Sequence, residues 1–197
     1  MKNKLICFLL LITIISLCIL IYKIEQTPKF SLTLYNQIQE EYEQIISANL
    51  NNQSTNNKIV LNSSSTTNFR TIGVIIIPKI DISYPIINEC TDENLNIAPT
   101  KFLGPTINTE GNLVVVGHNN WNKDFFSNLH KLENGDVVEL IDTSGNKLTY
   151  RVYNKYEIKQ DDFSCLEQDT NGKTELTLIT CIKYQKAKRL VVKCVAN

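Results

Sequence analysis

The chain has 197 residues, 43% of them hydrophobic, with 20 Lys and Arg balanced by 20 Asp and Glu. That length holds one ordinary domain with extensions and excludes a large multidomain machine, and a net charge of zero gives no global attraction to a polyanion, so nucleic acid is not an expected partner. Six cysteines and two histidines, with no Cys-x-x-Cys pair and no His-Glu-x-x-His motif, exclude a small disulfide scaffold and argue against a zinc enzyme.

Residues 5–22 (LICFLLLITIISLCILIY) carry no charge, and at about 1.5 Å of rise per residue they reach across a hydrocarbon core. Lys2 and Lys4 precede the run, and Lys23 follows it with Glu25 close behind, so the basic bias places residues 1–4 in the cytoplasm and everything past Lys23 outside. A cleaved signal peptide is the alternative, but its apolar region is shorter and ends in small residues. This run leads instead into Lys23-Ile24-Glu25-Gln26, which predicts an uncleaved signal anchor: a single-pass protein of the cell membrane. Cys7 and Cys18 then read as small apolar residues in lipid.

Beyond the anchor, Leu34, Tyr35, Ile38, Tyr42, Ile45 and Ile46 recur at three- and four-residue spacing among Glu40, Glu41 and Glu43. The pattern predicts an amphipathic helix over 30–50, a stalk able to dock on the domain. Residues 49–68 are rich in Asn, Ser and Thr and read as a linker. Stalk and linker thus occupy 23–68, and the folded domain occupies 69–197. From there the signals are strands: 72–77, stopped by Pro78, then Ile80 and Ile82, then 84–87, 113–116, 137–141, 148–153, 176–180 and 190–195. Seven or eight short strands and no long helix predict an all-β domain, a closed or nearly closed β-barrel. One short helix is predicted over 125–132, where Phe125, Phe126, Leu129 and Leu132 share a face before Gly135.

Four cysteines and two histidines lie outside the anchor, and context separates them. His118 directly follows Leu113-Val114-Val115-Val116-Gly117, and Cys181 directly follows Leu176-Thr177-Leu178-Ile179-Thr180. Each sits where a strand leaves the barrel, Gly117 giving the backbone room for a turn. A thiol and an imidazole at strand ends are held by a rigid scaffold yet open to solvent, as a nucleophile and its acid/base partner require. In a hairpin, Arg189 comes to face Cys181 across two strands. Cys194, inside the last strand, reads as buried and apolar. Cys90 and Cys165 fall in loops where a disulfide is one option, and His130 reads as a surface residue of the short helix. Taken alone, His118 and Cys181 are also explained as ordinary strand-end residues.

Thr177-Leu178-Ile179-Thr180-Cys181, with Arg189 leading into Leu190-Val191-Val192 downstream, resembles the Thr-Leu-x-Thr-Cys signature of the sortases. These are the membrane-anchored cysteine transpeptidases of Gram-positive bacteria. Gly111-Asn112-Leu113-Val114-Val115-Val116-Gly117-His118 resembles the family's histidine strand, and Phe125, Phe126, Leu129, Leu132, Gly135 and Asp136 match the segment after it. The resemblance implies an eight-stranded β-barrel in which Cys181 attacks the Thr carbonyl of a C-terminal sorting signal of the Leu-Pro-x-Thr-Gly type. A thioester forms, and an amine of a peptidoglycan precursor or of another surface protein resolves it. His118 is implied as the proton carrier and Arg189 as oxyanion or substrate contact, with no cofactor or metal. By the same analogy Thr180, Ile179 and Val116 line the peptide groove, although Ile179 and Val116 read equally well as barrel core. Asn119 is a lesser candidate for orienting the His118 ring as in Cys-His-Asn enzymes.

A cysteine–histidine pair at reference pKa values holds both active forms in under about 1% of molecules at pH 7, so an uncoupled pair is slow. Residues 95–105 lack the glycine-rich run many sortases carry, and no Asp-Pro-aromatic lid precedes the barrel. The resemblance is therefore to a compact, class D-like member. Two other functions stay open: a catalytically silent barrel that binds or scaffolds surface proteins, and a hydrolase in which water replaces the amine.

Overall fold

The computed structural model describes residues 28–54, 71–119 and 125–197, with side chains in the first segment described over 36–50. The proposed anchor at 5–22 and most of the linker lie outside the described residues. Among the described residues no helix is long and apolar enough to cross a membrane. By its contacts the chain falls into two compact units, Met1–Gln37 and Ile38–Asn197. The described part of the first is helical.

Helix α1 (Pro28–Ser54) extends through the start of the Asn-rich stretch. Its part within the second unit docks on the barrel through the apolar stripe read from the sequence: Ile45 packs with Val74 and Ile141. Polar ties flank that contact. The Tyr42 hydroxyl lies 2.9 Å from Ser83 Oγ, the Glu41 carboxylate accepts the Thr71 N–H at 2.9 Å, and Asn49 Nδ2 donates to the Gly145 carbonyl at 2.9 Å. Gly145 is required at this contact: its φ is +79°, and a Cβ there would stand 2.7 Å from the Asn49 nitrogen.

Eight strands form the barrel: β1 (Thr71–Ile77), β2 (Ile82–Ile87), β3 (Thr100–Leu103), β4 (Gly111–Val116), β5 (Val137–Asp142), β6 (Lys147–Lys159), β7 (Thr174–Ile182) and β8 (Gln185–Ala196). Their order around the closed barrel is β1-β2-β3-β4-β7-β8-β6-β5, so the eight-stranded closed barrel expected from the sequence is present. Most neighbours run antiparallel, but β2 and β3 run parallel, and so do β4 and β7, with Leu113 opposite Leu176 and Val116 opposite Ile179. Alternation then decides the faces. Leu113, Val115, Leu176 and Leu178 enter the central core with Ile75, Leu140, Tyr150 and Val192.

The barrel departs from the sequence reading at three places, the first being Ile80, read as strand but part of a 3-10 turn over Pro78–Ile80. Strand β3 went unread, because Thr-Lys-Phe-Leu between Pro99 and Gly104 offers neither an apolar run nor clean alternation. The helix expected over 125–132 is absent. Phe125 has φ +51° and bridges to Asn119, and only Leu129–Lys131 forms a single 3-10 turn. A left-handed residue at its start breaks a helix, so the apolar spacing there reports burial: Phe125, Phe126, Leu129 and Leu132 are all buried.

Candidate active site

The parallel ladder between β4 and β7 sets the geometry. Its last paired residues are Val116 and Ile179, followed by a bond from the Gly117 N–H to the Ile179 carbonyl at 3.1 Å. His118 and Cys181 each stand two residues past that pair, at matching ends of adjacent strands. On the other side of β7, Cys181 pairs with Arg189 in the antiparallel register with β8. The three residues singled out in the sequence therefore come from three neighbouring strands, β4, β7 and β8. Cys181 is exposed, and His118 and Arg189 are half-buried.

Alternation along β7 puts Thr177, Ile179 and Cys181 on the outer face and Leu178 and Thr180 inside. Val116 and Ile179 are half-buried, and Ile179 packs against an outer cluster of Ile158, Cys165 and Val191 joined by Tyr156 and Leu166. Thr180 is placed differently. It is buried, and its hydroxyl donates to the Gly117 carbonyl at 2.7 Å, tying the cysteine strand to the histidine segment. Gly117 itself is needed for space, not for a left-handed turn: a Cβ there would lie 2.8 Å from the Phe126 ring. Packing of Phe126 beneath the histidine segment therefore replaces the conformational reason read from the sequence.

The Arg189 guanidinium is anchored on its own hairpin, Nη1 donating to the carbonyls of Lys186 at 2.8 Å and Lys188 at 2.9 Å. Fixing one arm of the fork leaves Nε and Nη2 for an external acceptor. Asn119 does not hold the His118 ring; its Nδ2 donates to the Cys181 carbonyl at 2.8 Å. A cavity of about 260 Å³ opens beside Cys181, bounded by Asn119, Phe126, His130, Thr180 and Leu190 among others. His130 is exposed, as a surface residue was expected to be, and the 3-10 turn also carries it to this cavity, with Nδ1 3.1 Å from the Ser127 carbonyl. Its spacing from Phe126 gives no hint of that placement, because the turn has no helical period.

Of the other described cysteines, the two buried ones are chemically quiet. All four described thiols are free, so Cys90 and Cys165 are not paired; Cys90 is exposed and Cys165 buried. Burial pushes the Cys165 and Cys194 thiols up, against a smaller opposing pull from Lys193, which suits inert packing groups. Among the described residues no group of His, Cys, Asp and Glu is placed to hold a metal.

Comparison with known proteins agrees with this fold. Sortase A of Bacillus anthracis is 32% identical over 123 residues, 61% of this chain and 57% of that protein, so the chain spans under two thirds of that relative's length. Among solved structures, a Sortase D5 transpeptidase of Clostridium perfringens superposes with a TM-score of 0.64 at 20% identity, over 82% of this chain and 96% of that one. Sortase A of Listeria monocytogenes gives 0.60 at 23% identity, over 65% and 88%. At such identities the superpositions establish a shared barrel. The sortase domain as a family matches residues 75–197, the whole barrel from the middle of β1 onward, and the chain belongs to the sortase family.

Proposed function

We propose that this chain is a cysteine transpeptidase that cleaves a C-terminal sorting signal of the Leu-Pro-x-Thr-Gly type and transfers the protein to an amine. The reading rests most on the juxtaposition of Cys181, His118 and Arg189 at the ends of three adjacent strands. The Cys181 sulfur attacks the carbonyl carbon of the signal's Thr, and the C–S bond of a thioester forms as the C–N bond to the next residue breaks. His118 gives its proton to the leaving amine. The acceptor amine then attacks the thioester, its proton passes to His118, and the thiolate leaves with a new amide formed. Arg189, with one guanidinium nitrogen fixed on loop carbonyls, directs its free donors at the developing oxyanion or at the peptide backbone.

The outer face beside Cys181 suits an extended apolar peptide, because Val116 and Ile179 present half-buried aliphatic surface there. The acceptor is the amine of a peptidoglycan precursor or of another surface protein. The uncharged run at 5–22 and the basic residues before it support an enzyme held on the outer side of the cell membrane. Incubating the full-length chain with a set of sorting-signal peptides, followed by intact mass measurement, tests the reading. An acyl adduct on the wild type and none on Cys181→Ala is expected. Failure of every peptide to acylate Cys181, with the thiol still open to a small alkylating probe, would count against this function. Conversion to amide only when an amine is added separates transfer from hydrolysis.

A further inference from the structure

The end of the β4–β7 ladder is completed by side chains. In a regular parallel ladder, a residue whose N–H bonds across one rung offers its carbonyl to the partner strand two residues further on. Continued past the Gly117–Ile179 rung, that pattern would join the Gly117 carbonyl to the Cys181 N–H, and the Cys181 carbonyl to the Asn119 N–H. Side chains supply both donors. Thr180 Oγ1 reaches the Gly117 carbonyl at 2.7 Å, and Asn119 Nδ2 reaches the Cys181 carbonyl at 2.8 Å. The backbone of 117–119 has meanwhile turned aside, with the His118 carbonyl accepting the Phe126 N–H at 3.0 Å and Asn119 bridging to Phe125.

The orientation of the Asn119 amide is fixed by chemistry, because a flipped group would set oxygen against the Cys181 carbonyl oxygen. Its Oδ1 is buried and has no donor among the described residues. The bond to Cys181 is the contact that uses an amide here, and a buried acceptor without a donor calls for a reason. We propose that Asn119 is a positioning residue for Cys181. Its side chain supplies the missing rung, so the backbone can carry His118 out of the sheet while the cysteine end of β7 keeps its place beside it. The proposal rests on Cys181 and His118 being the reacting pair, and it concerns neither the tautomer nor the orientation of the ring.

Asn119→Leu keeps the volume and removes the donor; Asn119→Asp keeps the shape and sets a carboxylate oxygen against the carbonyl. In the full-length chain both should lower the single-turnover rate of Cys181 acylation by about tenfold or more, with KM for the peptide within about twofold, because misplacement acts on the reacting geometry. Cys90, which is exposed, serves as the internal reference for alkylation by iodoacetamide, with each site read by peptide mass. The Cys181-to-Cys90 rate ratio should fall by about threefold or more in both variants. A ratio within about twofold of wild type in both variants overturns the proposal, whatever the turnover. A shifted ratio in a chain whose wild type forms no acyl-enzyme would leave the tether standing and remove the transpeptidase reading.

Discussion

Asn112 and Thr177, both fully buried, hold the loop between β6 and β7 to the barrel, and a double-mutant cycle on this pair reads the coupling directly. Asn112 Oδ1 accepts the Thr177 hydroxyl at 2.6 Å, while its Nδ2 donates to the carbonyls of Cys165 at 3.1 Å and Glu167 at 2.9 Å. Thr177→Val orphans one buried acceptor, at about 1–3 kcal/mol. Asn112→Leu orphans the Thr177 hydroxyl and the buried Cys165 carbonyl, about 2–6 kcal/mol together, while water can replace the bond to the part-buried Glu167 carbonyl. In the double variant only the Cys165 carbonyl stays unpaired, so the pair should cost less than the sum of the singles by about 2 kcal/mol or more. Equilibrium urea unfolding of the four proteins, followed by circular dichroism, measures this. Leu166 of the same loop packs near Ile179, so Asn112→Leu should also raise KM for a sorting peptide. Additivity within about 0.5 kcal/mol would refute the reasoning.

Gly117→Ala should cost about 1–3 kcal/mol, since the new Cβ meets a Phe126 ring that is fully buried and cannot yield; an unchanged melting temperature would contradict the packing argument. Arg189→Lys should lower acylation by about 100-fold, because an ammonium cannot both hold the Lys186 and Lys188 carbonyls and present further donors to substrate; near-normal turnover would sink that role. Burial alone would push the Asp136 carboxyl up, but the Lys79 ammonium, 2.9 Å away, and the Glu133 backbone N–H hold it below its ordinary value. A folded pKa below the unfolded one, about 3.9, means the unfolded chain binds more protons. The contribution is therefore present above that value and lost as pH falls through the folded one. The melting-temperature gap between wild type and Lys79→Met should be open near pH 6 and should close in acid; a gap independent of pH would exclude the pair as its source.

Much of the barrel was legible because β-branched runs such as Ile75-Ile76-Ile77 and Val114-Val115-Val116 leave no helical alternative. Strand β3 was not, since four residues with Lys101 in their midst carry no period and gain their structure from pairing with β2 and β4. Residues 125–132 misled because burial on one side looks the same for a turn as for a helical face, and the positive φ of Phe125 has no sequence mark. At the site, strand-end positions exposed Cys181 and His118 as candidates, and the hairpin brought up Arg189. Asn119 was read toward its sequence neighbour, the His118 ring. Its actual partner, 62 residues away, is visible only once β4 and β7 are known to be parallel and in register.

Register also explains how one five-residue segment holds a site open without loosening the barrel. Along Thr177-Leu178-Ile179-Thr180-Cys181 the odd positions face out and the even ones face in. Leu178 belongs to the central core. Thr177, outside but covered, must be polar because Asn112 needs its hydroxyl, and Ile179 is apolar where the outer face is half-covered. Thr180 must point inward and still donate, because the departing Gly117 carbonyl is buried with it. Only Cys181 combines an outward face with the end of the ladder, and there the side chain is free of packing duties. A thiol one residue earlier would be enclosed in the core and one two residues earlier confined to the outer cluster, so the register of β7 leaves one position at which a nucleophile is both held and exposed.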